Sequence, residues 1–238
     1  MAKSEHILIL ANSVNHWPGV CIAGREINSK GQQYTIGAWV RPVSANGEGE
    51  LSPSETRLVG GKQPAVMDFV EVQLSHAVND LLQPENWLID AGQRWRSVNA
   101  SYQKPGLELL REEPKSIWLQ RDERGDRVSP AYLKKSPPDQ SLYLIRVPSI
   151  RARFEWNEWD GRYKQRRRAL FTYRGVDYEL NITDPEFSER YRDQFPAKGS
   201  PAKTFTVTPA NGCYLCVSLA PEFNCYHYKV VATIIEAG

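Results

Sequence analysis

The sequence predicts an all-β chain with minor helices, folded as two small barrels in tandem. Three observations predict it. Short β-like segments recur along the chain, separated by Gly, Pro, Asn and Ser. Helical periodicity is scarce, which argues for sandwich or barrel architecture and against βαβ units. The strand list also splits near residue 110, with about five segments before it and six after. The polar stretch 111–140 carries four prolines and suits a junction. The first barrel is therefore expected over residues 1–110 and the second over 111–238.

In chain order, strands are expected near 6–11, 20–27, 34–43, 67–75 and 94–98. In the second part they are expected near 116–120, 141–156, 168–174, 176–183, 213–219 and 226–235. "TYRGVDYELNIT" reads as a hairpin with Arg174-Gly175 as its turn, because Val176, Tyr178, Leu180 and Ile182 share one face. "TDPEFSERYRDQF" is the best helix. Asp184 suits the N-cap, Pro185 the first helical position, and Phe187, Tyr191 and Phe195 recur at helical spacing. "PGLELLREE" (105–113) is a weaker second helix.

The chain of 238 residues is 41% apolar and 11% aromatic, enough for a core and incompatible with wholesale disorder. Four irregularly spaced cysteines do not make a secreted disulfide scaffold, and "ILIL" (7–10) is too short for a signal or a membrane span. A cytoplasmic protein without a membrane partner is expected. The net charge of +2 conceals an asymmetry. Residues 146–174 hold nine Lys/Arg against three acids, so the basicity is a patch.

Two stretches carry the chemistry of interest. In "GAWVRPVS" (37–44), alternation sets Thr35, Gly37, Trp39 and Arg41 opposite Tyr34, Ile36, Ala38 and Val40. An indole beside a guanidinium on the less apolar face fits a stacking platform for nucleic-acid bases. The alternatives are an internal cation–π pair or a core tryptophan. In "RARFEWNEWDGRYKQRRR" (151–168), Arg151 and Arg153 share a face, and a loop then offers Trp159, Tyr163, Lys164, Arg166, Arg167 and Arg168. Cations interleaved with rings suit a single-strand groove; the alternative is a solvated edge hairpin. "QRWRS" (93–97) reads as a surface strand with a buried tryptophan.

Catalytic and metal signals are weak. Cys213 and Cys216 lie on opposite faces of one strand, so they do not share a tetrahedral ion, and no metal or other cofactor is expected. There is no G-x-S-x-G elbow, Walker A loop or dinucleotide fingerprint. His16, Glu155, Glu158 and Asp160 remain as unassigned acid/base or magnesium-holding groups.

"CIAGREI" (21–27) followed by "GAWVRPVS" resembles the N-terminal signature of the dual OB-fold family, prokaryotic domains of two tandem OB barrels. The resemblance continues through "QPENWLID" (83–90), "RGVDYELNITDPEF" (174–187), "CVSLAPEF" and "YKVVATII". It implies two tandem OB-like small β-barrels, cytoplasmic location and a nucleic-acid-binding role. Among the positions matching its motifs, Gly24 suits a bulge or a close backbone approach, while Arg25, Trp39, Arg41 and Lys229 are the binding candidates. "NEWDGRYKQRRR" departs from the family pattern and would be a contact of this chain alone.

The expectation is a non-enzymatic module for single-stranded or distorted DNA or RNA with little sequence preference. Its groove would be lined by Arg25, Trp39 and Arg41 and extended by Arg166–Arg168. With so few cations it would work beside a helicase or nuclease partner, or as a homodimer. The rivals are a protein-interaction scaffold using the same aromatic–arginine surface, and an enzyme acting on nucleic acid or nucleotides.

Overall fold

The computed structural model describes residues 2–14, 18–30, 33–46, 49–98, 106–118, 125–159 and 161–238, with the side chains of 29, 30, 33 and 159 also outside the described set. The chain divides into two compact units, Met1–Leu110 with Pro138–Ser141, and Arg111–Pro137 with Leu142–Gly238.

The first unit holds β1 (Lys3–Ser13), β2 (Cys21–Lys30), β3 (Gln33–Val43), β4 (Phe69–Ala77), β5 (Asn86–Ile89), β6 (Arg96–Ser97) and a single helical turn, α1 (Leu107–Leu110). The order β1-β2-β3-β5-β4 closes on itself because β4 also pairs with β1. β1–β2–β3 form a meander, β3 and β5 run parallel, and β4 is antiparallel to both β5 and β1. That is the closed five-strand OB arrangement, with the edges removed by closure. Its interior is apolar, built from Ile7, Ile9, Ile22, Val40, Val70, Val72, Leu74 and Trp95. As expected for "QRWRS", Trp95 is buried between exposed Arg94 and Arg96.

Three register shifts interrupt this barrel, one of them between Leu74 and His76 of β4, and the two in the β1–β2–β3 meander bear on the site. The first inserts Leu10 between the pairs Ile9↔Gly24 and Ala11↔Ala23. A Cβ on Gly24 would stand 2.2 Å from the Leu8 carbonyl oxygen, so the close approach anticipated there requires glycine. The second places Gly37 and Ala38 opposite Glu26, between Arg25↔Trp39 and Ile27↔Ile36. It shifts the alternation by one residue and carries Ile36 onto the side of Trp39.

The second unit holds β7 (Arg127–Val128), α2 (Pro130–Lys135), β8 (Leu142–Val147), β9 (Ile150–Trp159), β10 (Arg162–Tyr173), β11 (Val176–Ile182), α3 (Pro185–Arg190), β12 (Lys203–Val207), β13 (Cys213–Phe223) and β14 (Tyr226–Glu236). Its sheet runs β12-β9-β10-β11-β14-β13-β8, and β7 pairs with β14. β8 and β9 are consecutive and separated only by Pro148-Ser149, so one bent segment pairs with β13 at one end and β10 at the other. With a β9–β10–β11 meander, parallel β11–β14 and a helix before the β13–β14 hairpin, the OB plan recurs.

Asp184 caps α3 as the sequence predicts, accepting from Phe187 N at 2.9 Å, and its other oxygen accepts from Ile234 N at 2.8 Å. Burial pushes its carboxyl up to about 6 against those two hydrogen bonds. The hairpin turn is also where expected: Arg174 (φ 50°) and Gly175 (φ 77°) form a left-handed pair of the I′ kind.

Several elements differ from expectation. Residues 116–118 are irregular, and 119–120 lie outside the described residues. The 105–113 helix shrinks to α1, while α2 forms on the Ser129 cap and Pro130. β5, β7 and β12 are short strands the pattern did not single out. The expected loop over 157–167 is instead continuous hairpin: β9 and β10 pair from Leu170↔Arg151 up to Arg162↔Trp159. No described helix is long and apolar enough to cross a membrane.

Candidate nucleic-acid interface

Trp39 and Arg41 lie opposite Val40, as alternation requires, but that face is covered. Trp39 is 4% exposed and Arg41 7%. The expectation that they face outward is corrected. Arg25 supplies the cation for the indole, its Cζ 5.7 Å from the ring centroid. The same guanidinium donates to the Gly37 carbonyl from Nε at 2.9 Å and from NH2 at 2.6 Å. Arg25 thus clamps a backbone carbonyl within the bulge, and it holds the fold.

Arg41 is a buried ion-pair partner. Its NH2 lies 3.1 Å from Glu85 Oε1 and donates to Ser141 Oγ at 2.9 Å, while NH1 donates to Asn86 Oδ1 at 3.3 Å. Ser141 in turn donates to Glu85 through both its hydroxyl and its backbone N. A buried guanidinium needs this full set, because an unpaired one would be expelled or destabilising. Lys229, 1% exposed, is likewise structural. Its Nζ donates to Gly125 O at 3.0 Å and sits 5.8 Å from the Tyr178 ring centroid, while its backbone N donates to Asp126 O. These contacts tie the 125–126 segment to β14.

The β9–β10 hairpin separates its cations by parity. Cross-strand partners share a face, so from the base of the hairpin toward its tip one side reads Leu170↔Arg151, Arg168↔Arg153, Arg166↔Glu155 and Lys164↔Asn157. β11 adds Glu179 and Asn181 to that side, and β12 adds Thr204 and Thr206. The next such pair toward the tip is Arg162↔Trp159, so six cations (Arg151, Arg153, Arg162, Lys164, Arg166 and Arg168) share one sheet face with the carboxylates of Glu155 and Glu179. Asp177 lies on the same side further along, opposite Thr172, whose hydroxyl donates to it at 2.6 Å.

The two carboxylates among the cations are already engaged. Arg153 pairs with Glu155 at 2.8 Å, and Glu179 lies 3.0 Å from Arg168 and 3.8 Å from Arg153. Arg166 donates to Asn181 Oδ1 at 3.3 Å. Burial, then the neighbouring Arg168 charge, lowers the pKa of Arg166. Like charges crowded on a face mark a place where an anion relieves repulsion.

Arg167 belongs to the opposite face. Its Cζ lies 5.0 Å from the Phe195 centroid and 5.7 Å from that of Phe154, within a cluster that includes Trp156 and Phe205. The expectation of three adjacent arginines acting together is corrected: consecutive strand residues point apart, and the middle one packs under the segment after α3. Tyr163 shares that side, 41% exposed, with Lys198 Nζ 4.2 Å from its ring centroid. The Trp159 side chain, Asp160 and His16 lie outside the described residues. Of the suggested acids, Glu155 serves Arg153, and Glu158 is hydrogen-bonded to Tyr163, whose pKa it raises. Among the described residues no group of three or more His, Cys, Asp or Glu is placed to hold a metal.

One aromatic surface escaped the sequence reading. At the β13–β14 turn, Phe223 is 66% and Tyr226 38% exposed. Tyr228 stands 6.4 Å from Phe223 and 6.5 Å from Tyr226, centroid to centroid. Arg127 Cζ lies 4.9 Å from the Tyr228 centroid and 5.3 Å from that of Tyr226, held there by Asp126 at 2.8 Å. The visible signal was "PEFNCYHY", where three rings flank an Asn-Cys turn. What hid it was Arg127, about a hundred positions away in the chain and brought beside Tyr228 by the β7–β14 pairing.

Two units on the OB plan, the second with a basic sheet face and an aromatic hairpin, define a tandem OB-fold protein. The chain belongs to the Dual OB-containing domain family, whose model matches residues 5–234. None of the curated proteins matches it.

Proposed function

We propose that this chain is a non-enzymatic module that binds single-stranded nucleic acid with little sequence preference in the cytoplasm. The observation that carries the reading is the set of six cations sharing one face of the β9–β10–β11 meander, more than the carboxylates of that face neutralise. Cations at strand spacing follow a phosphate backbone, and OB sheet faces and hairpins are open to an extended strand. Phe223 and Tyr226 offer faces for bases, an interaction of about 1–3 kcal/mol per base that every base can make. About six phosphate contacts give modest, salt-sensitive affinity, so a helicase or nuclease partner, or a second copy of the chain, supplies the rest. The four cysteines are free, which suits a reducing compartment.

The test is fluorescence anisotropy with labelled single- and double-stranded oligonucleotides at two ionic strengths. Tighter binding of the single strand, lost steeply as salt rises, supports the reading. A salt-insensitive interaction confined to a protein ligand would replace it with a docking scaffold.

A further inference from the structure

The second unit also contains a cavity of about 270 Å³. Three guanidiniums line it, those of Arg111, Arg146 and Arg174, with Thr172 in its wall. Glu113 sits between two of them, 3.0 Å from Arg111 NH1 and 3.3 Å from Arg174 NH2. Glu112 also borders the space, but its carboxylate accepts from Leu144 N at 3.0 Å. Arg146 donates from Nε to Asn211 O at 2.9 Å, and among the described residues no carboxylate pairs with it.

We infer that this cavity is a binding site for a phosphate monoester, whose place the Glu113 carboxylate holds in the free protein. A carboxylate bridging two guanidiniums makes the contacts that two phosphate oxygens would make, and phosphate has a third oxygen for Arg146. Glu113 is more than half exposed and can leave at little cost, as surface ion pairs do. Arg174 gives independent support. It occupies a left-handed turn position (φ 50°) where Asn or Gly is favoured, so the chain keeps an arginine there against backbone preference. Its Nε also donates to the Tyr173 hydroxyl at 3.4 Å, which fixes the fork.

The source of the phosphate follows from position. Arg166, Arg168, Leu170 and Thr172 alternate onto one side of β10, so the cavity lies at the end of the proposed strand-binding face, about 20 Å from Arg166. A terminal phosphate of a bound strand is the occupant that fits; this last step rests on the reading above, whereas phosphate binding itself does not.

Calorimetric titration of the full chain tests it with three probes: inorganic phosphate, a short oligothymidine with a 5′-phosphate, and the same strand with a 5′-hydroxyl. Arg174→Asn, which suits the turn and leaves the melting transition intact, is expected to weaken inorganic phosphate binding by about tenfold or more, as is Arg146→Ala. Glu113→Gln is expected to tighten it severalfold by removing the internal competitor. A strand whose 5′-phosphate adds affinity that Arg174→Asn abolishes places the terminus in the cavity. Equal affinity for both strands, with phosphate binding retained, assigns the cavity to free phosphate instead. Failure of the hydroxyl-ended strand to bind sinks the strand-binding reading and leaves the cavity standing. No phosphate binding by the wild type, unchanged binding in Arg174→Asn, or weaker binding in Glu113→Gln overturns the inference.

Discussion

Removing Arg166 and Arg168 together tests the functional reading most directly, because the structure separates them from Arg167. If all six cations on the β9–β10–β11 face met phosphates, single-strand binding would vary with salt with a log–log slope of about −4.2, at about 0.7 per contact. Arg166→Ala with Arg168→Ala removes two contacts and should bring the slope to about −2.8. A fourfold rise in salt then costs about fiftyfold in affinity where the wild type loses about three-hundredfold. Glu179→Gln should move binding the other way, since that carboxylate lies 3.0 Å from Arg168 and 3.8 Å from Arg153. Arg167→Ala is the internal control: its guanidinium lies over Phe154 and Phe195, so it should lower stability and leave the slope alone. Anisotropy titrations at four or more salt concentrations, with urea melts for each variant, supply both readouts. A double variant with the wild-type slope, or an Arg167→Ala slope as shallow as the double variant's, refutes the assignment of the face.

Trp39→Ala should cost about 3–5 kcal/mol in a urea melt and leave the affinity of the folded fraction unchanged, because the ring is core. Glu85→Ala strands the Arg41 charge among buried groups and should cost a similar amount. Phe223→Ala should weaken single-strand binding by about 1–3 kcal/mol with no change in salt slope or melting temperature. Asp184 gives a pH signature. Its folded pKa of about 6 lies above the ordinary 3.8, so the folded state holds a proton the unfolded chain has lost across that window. Stability from this group is therefore fullest below about pH 4 and declines by about 2–3 kcal/mol as pH rises through 6, at about 1.36 kcal/mol per pKa unit. Asp184→Asn should lack that decline when melts at pH 4.5 and 7 are compared with wild type; an identical pH dependence would refute the assignment.

Local chemistry was legible wherever a residue's role is set by its immediate neighbours. The Asp184 cap, the Arg174-Gly175 turn and the buried Trp95 each follow from a few adjacent residues and from backbone sterics, whereas the close approach at Gly24, to the Leu8 carbonyl on the neighbouring strand, was marked only by the family motif that contains it. Alternation also placed Trp39 and Arg41 correctly opposite Val40. What it left open was the cover over that face, because Glu85 and Ser141 reach Arg41 across long stretches of chain. The second bulge shows the same boundary from the backbone side. A Cβ on Gly37 would stand 2.9 Å from Glu26 Cβ and displace that side chain, yet nothing in "TIGAW" announces that Ile36 and Trp39 end on one side. Arginines are especially ambiguous in this respect: a guanidinium serves equally as a clamp on a carbonyl (Arg25), as a buried ion (Arg41), as a lid on phenyl rings (Arg167) or as a contact for a polyanion. The hairpin resolves the ambiguity by parity. Once β9 and β10 are seen to pair continuously to Trp159, Arg166 and Arg168 must point away from Arg167. The group packed against rings is then fixed as structural, and the two crowded beside each other remain as the ones whose charge an incoming phosphate would balance.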